Sequence, residues 1–455
     1  MPLPDALLPT LRSIFGDAVS TGPAERLAYA YDNSRLDAQP DAVVFPTTHA
    51  QVEALVRACR AHRVPLTARG RGSNTTGATV PVEGGIVASF ERMNRILRID
   101  PANRLAVVEP GVINGDLQRA LAPHGLFWPP DPSSSPWCSI GGNLACNAAG
   151  PRAVKYGTPR ENTLGLCAVA GTGEGFRCGT YTSKGATGYD LTRLLVGSEG
   201  TLALITEATL RLVPKPSAIR TLRATYRDVA TAAQAVARIM GQPVTPCTLE
   251  FIDETALELA HAYAGDEVPA AGALLMIEVD GEPETLDAAV AAVSAAAHGE
   301  GMESLHTAAT VEEAQRLWAA RKALSPAQRT IAPDKINEDV VVPVSRLPEL
   351  VQGIQRLAAK HDVLVVSFGH AGNGNLHVNL LPRDTAERER AHACLAEVFA
   401  LVIALEGTLS GEHGIGLTKR EFMPLALEPA TLALMRGVKQ AFDPDGILNP
   451  GKLLP

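Results

Sequence analysis

No Cys-x-x-Cys pair occurs in the 455-residue chain, and its seven cysteines (Cys59, Cys138, Cys146, Cys167, Cys178, Cys247 and Cys394) are odd in number and scattered. That argues against a disulfide framework, a zinc ribbon and a cysteine-ligated iron–sulfur cluster, and leaves reduced core thiols. Positive charge is also in short supply. The formal net charge is −8, so there is no general basic field for nucleic acid or an anionic membrane, and an anionic substrate must meet local cations. No apolar run approaches the ~20 residues of a spanning helix. The opening MPLPDALLPTLRSIF puts an acidic residue and prolines where a signal peptide carries positive charge and an unbroken apolar stretch. The expectation is a cytoplasmic chain with no transmembrane segment and no repeats or low-complexity tracts, long enough for two or more domains.

What is present is concentrated in residues 363–416. VLVVSFGHAGNGNLHVNLL reads as two strands joined by a tight Gly372-Asn373-Gly374 connection, with His370 and His377 facing each other across the neck of the hairpin. Alternation sends His377 and Asn379 to one face of the second strand. SGEHGIG sets Glu412 and His413 in a glycine-rich loop whose backbone can approach a ligand closely. Two imidazoles and a carboxylate are a common set of ligands for a catalytic divalent metal. Any one of these histidines alone reads more naturally as a satisfied core or surface residue; the four groups together in two glycine-flanked loops favour a site.

Along the chain, residues 1–38 read as a leading helix and a polar connection. AVVFP, VPLTARG, GGIVASF, RILRID and LAVVEPG read as short strands, and Thr48-x-x-Gln51 as a capping box opening a helix with Val52, Leu55, Val56 and Cys59 on one face. The prolines of VPKPSAIR mark a boundary. Beyond it TLRATYR, CTLEFID and ALLMIEVDG read as strands of an antiparallel sheet, with alanine-rich helices at 229–240 and 283–298 and a helix capped by Thr310 that carries Leu317, Trp318 and Arg321. Both halves are α+β.

Three clusters of small residues lie in the first half. Gly70, Gly72 and Gly77 follow a strand, beside Arg69 and Arg71. Thr75 stands where the third glycine of a Rossmann fingerprint belongs, and no Lys-Ser/Thr ending makes a triphosphate loop. PPDPSSSPWCSIGGNLACNAAG and VGSEGTLALIT follow, and together the three imply a long polar cofactor of dinucleotide type, whose phosphates backbone N–H groups could meet.

Arg69-Gly70-x-Gly72 with Gly77, PDPSS…SIGGN…NAAG, KYG at 155–157 and GSEGTLALIT resemble the FAD-binding domain of flavoproteins of the vanillyl-alcohol oxidase type. FGHAGNGNLHVN, SGEHGIG and FDPDGILNPGK resemble, more narrowly, the branch of FAD-linked D-lactate dehydrogenases, glycolate oxidase D subunits and D-2-hydroxyglutarate dehydrogenases. The resemblance runs from about Asp41 to Lys452. It implies an α+β fold: a helical lead-in (1–38), a two-part FAD-binding domain (39–216), an α+β cap or substrate domain on an antiparallel sheet (217–409), and a segment returning to the FAD site (410–455). FAD would be held by Arg69, Gly70, Arg71, Gly72, Ser73, Asn74, Thr75, Gly77, Pro130, Asp131, Ser133, Ser139, Gly141, Gly142, Asn143, Asn147, Gly150, Gly200, Ile205 and Asn449. Some relatives carry a histidine in the first loop that bonds covalently to the flavin; Ser73-Asn74-Thr75 offers none, so non-covalent FAD is expected. Relatives often have aspartate where this chain has Asn373, which removes a charge near the metal.

The resemblance further implies oxidation of a small D-2-hydroxy acid, D-lactate foremost, with glycolate and D-2-hydroxyglutarate in the same class. A divalent metal, with zinc the first choice, would sit on His370, His377 and Glu412, with His413 as base; an imidazole titrates near ~6.5 and so can be neutral at physiological pH. Arg321, Ser325, Lys335 and Asn379 would bind substrate, Arg321 and Ser325 sharing one helix face. Hydride would pass to the flavin and onward to an unidentified acceptor, a quinone, a cytochrome or an electron-transfer flavoprotein, at the inner membrane face, with a homodimer as one assembly. The alternative is a flavin-binding electron-relay subunit of a multi-subunit oxidase without its own active site. A nicotinamide-dependent reductase lacks a separate nicotinamide loop to support it.

Overall fold

Strand formation in this chain follows its β-branched runs, and the strands gather into two bodies, each with its own sheets. A computed structural model describes residues 3–265, 268–332 and 335–455. One unit comprises Met1–Gly150, Gly157–Lys215 and Glu412–Pro455; the other comprises Pro151–Tyr156 and Pro216–Gly411.

In the first unit a four-stranded sheet runs in the order Val19–Ser20, Ala42–Val44, Ile86–Ser89, Leu66–Arg69. Its last three strands are parallel, which requires a crossover. The helix His49–His62 supplies it, burying Val52, Leu55, Val56 and Cys59. Thr48 caps that helix through Gln51 N–H at 3.3 Å, and the Gln51 side chain reaches back to Thr47 N–H at 2.8 Å, one residue beyond the usual capping-box partner. A five-stranded antiparallel sheet follows, ordered Ile96–Asp100, Leu105–Val108, Ala203–Arg211, Thr163–Ala170, Gly175–Gly179. Residues 447–449 close the unit: Leu66 N–H donates to Ile447 O at 2.8 Å and Asn449 N–H to Leu66 O at 2.9 Å, and Ile447 and Leu448 enter the core beside Val52, Leu55 and Ile86.

The second unit is built on seven antiparallel strands in the order Met302–Thr307, Ala218–Tyr226, Ala273–Gly281, Thr248–Asp253, Val365–Gly369, Asn375–Leu380, Ile336–Val341. The alanine-rich helices are Val229–Gly241 and Pro283–Ala297. Thr310 does cap a helix, accepting from Glu313 N–H at 3.2 Å, but that helix ends at Leu317 and a second one, Ala319–Ile331, carries Arg321. The break falls at Trp318, whose indole N–H is held by Glu278 Oε1 at 2.8 Å. Among the described residues, no helix is long and apolar enough to cross a membrane.

Candidate functional site

In the first unit the three small-residue clusters pack against one another at backbone range. A Cβ on Gly70 would lie 2.4 Å from Ser139 Oγ, and one on Gly150, whose φ is +81°, would lie 2.4 Å from Asp131 O. Ser139 caps the helix Ile140–Cys146 by accepting from Gly142 N–H at 3.3 Å, with Gly141 against Pro110. Several polar side chains expected at the cofactor are engaged in holding these loops: Asn143 with Asn114 at 3.1 Å, Asn147 Oδ1 with Thr158 Oγ1 at 2.9 Å and Arg160 N–H at 3.0 Å, and Arg69 with Tyr31 O at 2.7 Å. Pro130 O accepts from Asn114 at 3.0 Å and Asp131 N–H donates to Ala149 O at 2.9 Å. Arg71 lies 3.8 Å from Glu91, Ser133 is exposed, and Ile205 is half-buried in the strand Ala203–Arg211. Gly72, Gly77 and Gly200 all have positive φ. Thr75 Oγ1 is shielded from solvent and has no hydrogen-bond partner among the described residues, an unmet demand that a polar ligand would satisfy. The orphaned Thr75 hydroxyl, set in a glycine-rich loop, fits a polar ligand such as a dinucleotide.

The Glu412–His413 loop is tied to the same clusters. Gly150 N–H donates to Glu412 Oε2 at 2.6 Å. Asn74 Nδ2 and Thr76 Oγ1 hold the His413 carbonyl at 2.8 and 3.3 Å. Ile415 and Gly416 N–H groups donate to the two oxygens of Glu199 at 2.6 and 2.8 Å, while Asn449 Nδ2 bridges Ala78 O and Glu199 O at 2.9 and 2.7 Å. Burial drives the Glu199 carboxyl up to about 7, against the pull of those two N–H groups and of Lys419 and Lys452.

In the second unit, the strands Val365–Gly369 and Asn375–Leu380 pair with Phe368 opposite His377, and the short turn between them starts at His370. The His370 and His377 rings lie 5.1 Å apart, nearly perpendicular. A residue that the sequence reading passed over links His370 to Arg321: Glu250, fully buried, accepts from His370 Nδ1 at 2.5 Å and from Arg321 Nε at 2.8 Å. Burial pushes the Glu250 carboxyl up, but the charges of His370 and Arg321 outweigh it and hold it at about 2. Arg321 also covers the Phe368 ring, 4.7 Å from its centroid. Lys335 Nζ donates to Gln328 Oε1 at 2.6 Å and Asn379 Oδ1 at 2.9 Å; burial, then Arg329 and Arg321, bring its ammonium down to about 8. Ser325 is exposed and forms no hydrogen bond among the described residues.

Asp339 was also missed. It stands directly across from His377 in the ladder and accepts from Ser410 Oγ at 3.0 Å and Gly411 N–H at 2.7 Å. The signal for both acids was a carboxylate inside a β-branched strand, TLEFID and INEDVV, where a charge is seldom buried without a partner.

Comparison with known proteins adds the lineage. A family profile described as "FAD linked oxidases, C-terminal domain" matches residues 215–453, and one described as "FAD binding domain" matches residues 40–179. The glycolate oxidase subunit GlcD of Bacillus subtilis (strain 168) is 43% identical over 434 residues, covering 94% of this chain and 92% of that protein. A D-lactate dehydrogenase of Anaerostipes hadrus is 34% identical, covering 91% of this chain and 90% of its own. In the solved structure of p-cresol methylhydroxylase with substrate bound, the fold matches with a TM-score of 0.81 over 98% of this chain and 96% of that one, at 19% identity.

Proposed function

Since the chain belongs to the FAD-linked oxidase family, whose members include proteins named for oxidising small hydroxy acids, we propose that it oxidises a small 2-hydroxy acid of the D series, D-lactate foremost, or the achiral glycolate, to the 2-oxo acid, using non-covalent FAD and a divalent metal. The observation that carries this reading is the cluster in the second unit. Two imidazoles stand beside Arg321 and Lys335, and among the described residues the Lys335 ammonium has amide oxygens, not a carboxylate, as its partners. A half-buried cation so placed favours an anionic ligand.

Metal binding by His370, His377 and Glu412 is supported by the donor chemistry. When a metal displaces the second ring proton of His370, Glu250 at Nδ1 keeps the remaining hydrogen there and leaves the lone pair on Nε2, the tautomer a ligand needs. Gly411 N–H is bonded to Asp339, across the ladder from His377. When bound, FAD supplies the hydride acceptor and the metal supplies Lewis acidity at the substrate hydroxyl. Arg321 and Lys335 hold the substrate carboxylate, Asn379 orients it, and His413 takes the hydroxyl proton on its ring; Asn74 and Thr76 fix the His413 backbone for that task. A cytoplasmic location and a separate electron acceptor go with this reading.

The test is the purified chain alone, with a dye as acceptor and paired D- and L-2-hydroxy acids. Turnover of D-acids only is expected, abolished by a chelator that leaves the FAD in place. His377→Ala should lose the metal; His413→Ala should keep it and lose ~10²–10⁴ of turnover. Full activity in metal-free protein would overturn the metal site. Inert protein carrying both FAD and metal would favour the electron-relay subunit, a reading to which the word "subunit" in the name of the Bacillus relative lends weight.

A further inference from the structure

Away from this chemistry, a thiol in the first unit is surrounded by groups that suit it to reaction. Cys167 lies half-buried in the strand Thr163–Ala170, with Arg177 opposite it on one neighbouring strand and Glu207 on the other. Arg177 and Glu207 close an ion pair at 2.6 Å. His49, the first residue of the helix His49–His62, brings Nδ1 to 2.8 Å from Thr206 Oγ1 and 3.7 Å from Cys167 Sγ. The Thr206 hydroxyl donates to Cys167 O at 3.1 Å. A hydroxyl has one hydrogen, so Thr206 Oγ1 accepts from the ring, and the hydrogen sits on Nδ1, where it also faces the sulfur.

Glu53, one turn along the helix, stands 3.6 Å from His49 Nε2 and accepts from Gly175 N–H at 3.0 Å, with Arg57 on its other oxygen at 3.5 Å. Gly175 keeps the space for this pair: a Cβ there would lie 2.2 Å from His49 Nε2 and 2.4 Å from Glu53 Oε1. The other cysteines are placed differently. Cys59, Cys138, Cys247 and Cys394 are buried; burial drives the Cys59 thiol up to about 12 and the Cys394 thiol to about 11. Cys146 is bonded by Asn74 Nδ2 at 3.3 Å and Cys178 by Thr192 Oγ1 at 3.5 Å.

We propose that Cys167, with His49 and Glu53 behind it, is a thiol–disulfide exchange site for small, soluble disulfides. In the reacting state the Cys167 thiol has given its proton to water, and His49 presents Nδ1–H to the sulfur with Nε2 toward Glu53. The thiolate attacks one sulfur of the disulfide; a new S–S bond forms at Cys167, the old S–S bond breaks, and the other half leaves as a thiolate that takes a proton from water. The exchange needs no further oxidant. Arg177 and Glu207, opposite Cys167 on the two neighbouring strands, also bring charge to the sulfur, and Arg57 pairs with Glu53 behind the ring.

The full-length purified chain is treated with excess dithiobis(nitrobenzoate), and the released nitrothiolate is followed. One thiol should react about tenfold or more faster than the rest. Cys167→Ser should remove that phase alone. His49→Ala should slow it by about tenfold and leave the other phases at their rates, and Thr206→Val, which removes the acceptor that orients the ring, should slow it as well if His49→Ala proves unfolded. Glutathione disulfide should add one tripeptide, found by mass spectrometry on the peptide containing Cys167. A fast phase that survives Cys167→Ser, or that keeps its rate when His49 or Thr206 is replaced, would overturn the proposal.

Discussion

Glu250 is one negative charge held between an imidazole and a guanidinium, and the sharing sets what either neighbour can become. Arg321 donates to it through Nε, which leaves the end of its planar fork for a carboxylate; lysine has one point charge for both tasks. Arg321→Lys should therefore lower kcat/KM for the proposed D-2-hydroxy acid substrate about 10–100-fold, the size of a lost hydrogen bond between charged groups, with the flavin spectrum unchanged. Unchanged kinetics would make Arg321 a structural partner of Glu250 only. Lys335 gives a pH signature. Its charged form is disfavoured, so the folded chain gives up this proton as pH rises through about 8, while an unfolded lysine keeps it to ~10.4. Between those values the unfolded state binds more protons and stability rises with pH; carboxylate affinity moves the other way. KM should climb above pH 8, by up to about tenfold per pH unit, and Lys335→Gln should give a higher, flat KM.

At the scale of elements, local chemistry was legible wherever a side chain acts on its own backbone. The Thr48 and Thr310 caps, the alanine-rich helices and the two strands round Gly372-Asn373-Gly374 all follow from spacing. Contacts between distant segments were not. Nothing in TLEFID says that Glu250 will meet a histidine 120 residues later, and nothing near Leu317 says that the helix ends where the Trp318 indole meets Glu278 of the strand Ala273–Gly281. Glycines lie between these cases: their clustering marks a close approach without saying to what. Gly70 meets Ser139 Oγ, the cap of the next helix. Gly70→Ala should displace that hydroxyl and cost about 1 kcal/mol of capping, and the protein should retain less FAD after desalting. Adding Ser139→Ala removes the obstructing oxygen, so FAD retention in the double variant should exceed that of Gly70→Ala; a further fall would mean that the clash is not the cause.

At the scale of the molecule, the chain passes between its two units four times, at Gly150, Tyr156, Lys215 and Gly411. Residues 1–215 thus lack Ile447 and Leu448, which pair with Leu66 and fill the core beneath it. A fragment of residues 1–215 should fail to hold FAD or melt cooperatively, and a co-expressed 412–455 segment should restore both; a stable, yellow 1–215 fragment would show that the returning segment is dispensable. The same strand of contacts has a consequence in time. A ribosome makes Leu66 early and Ile447 some 380 residues later, so at ~5–20 residues per second the first core waits about 20–75 s for its closing piece. Every residue of the second unit emerges during that wait, and the half-built flavin unit is the body that chaperones have reason to guard.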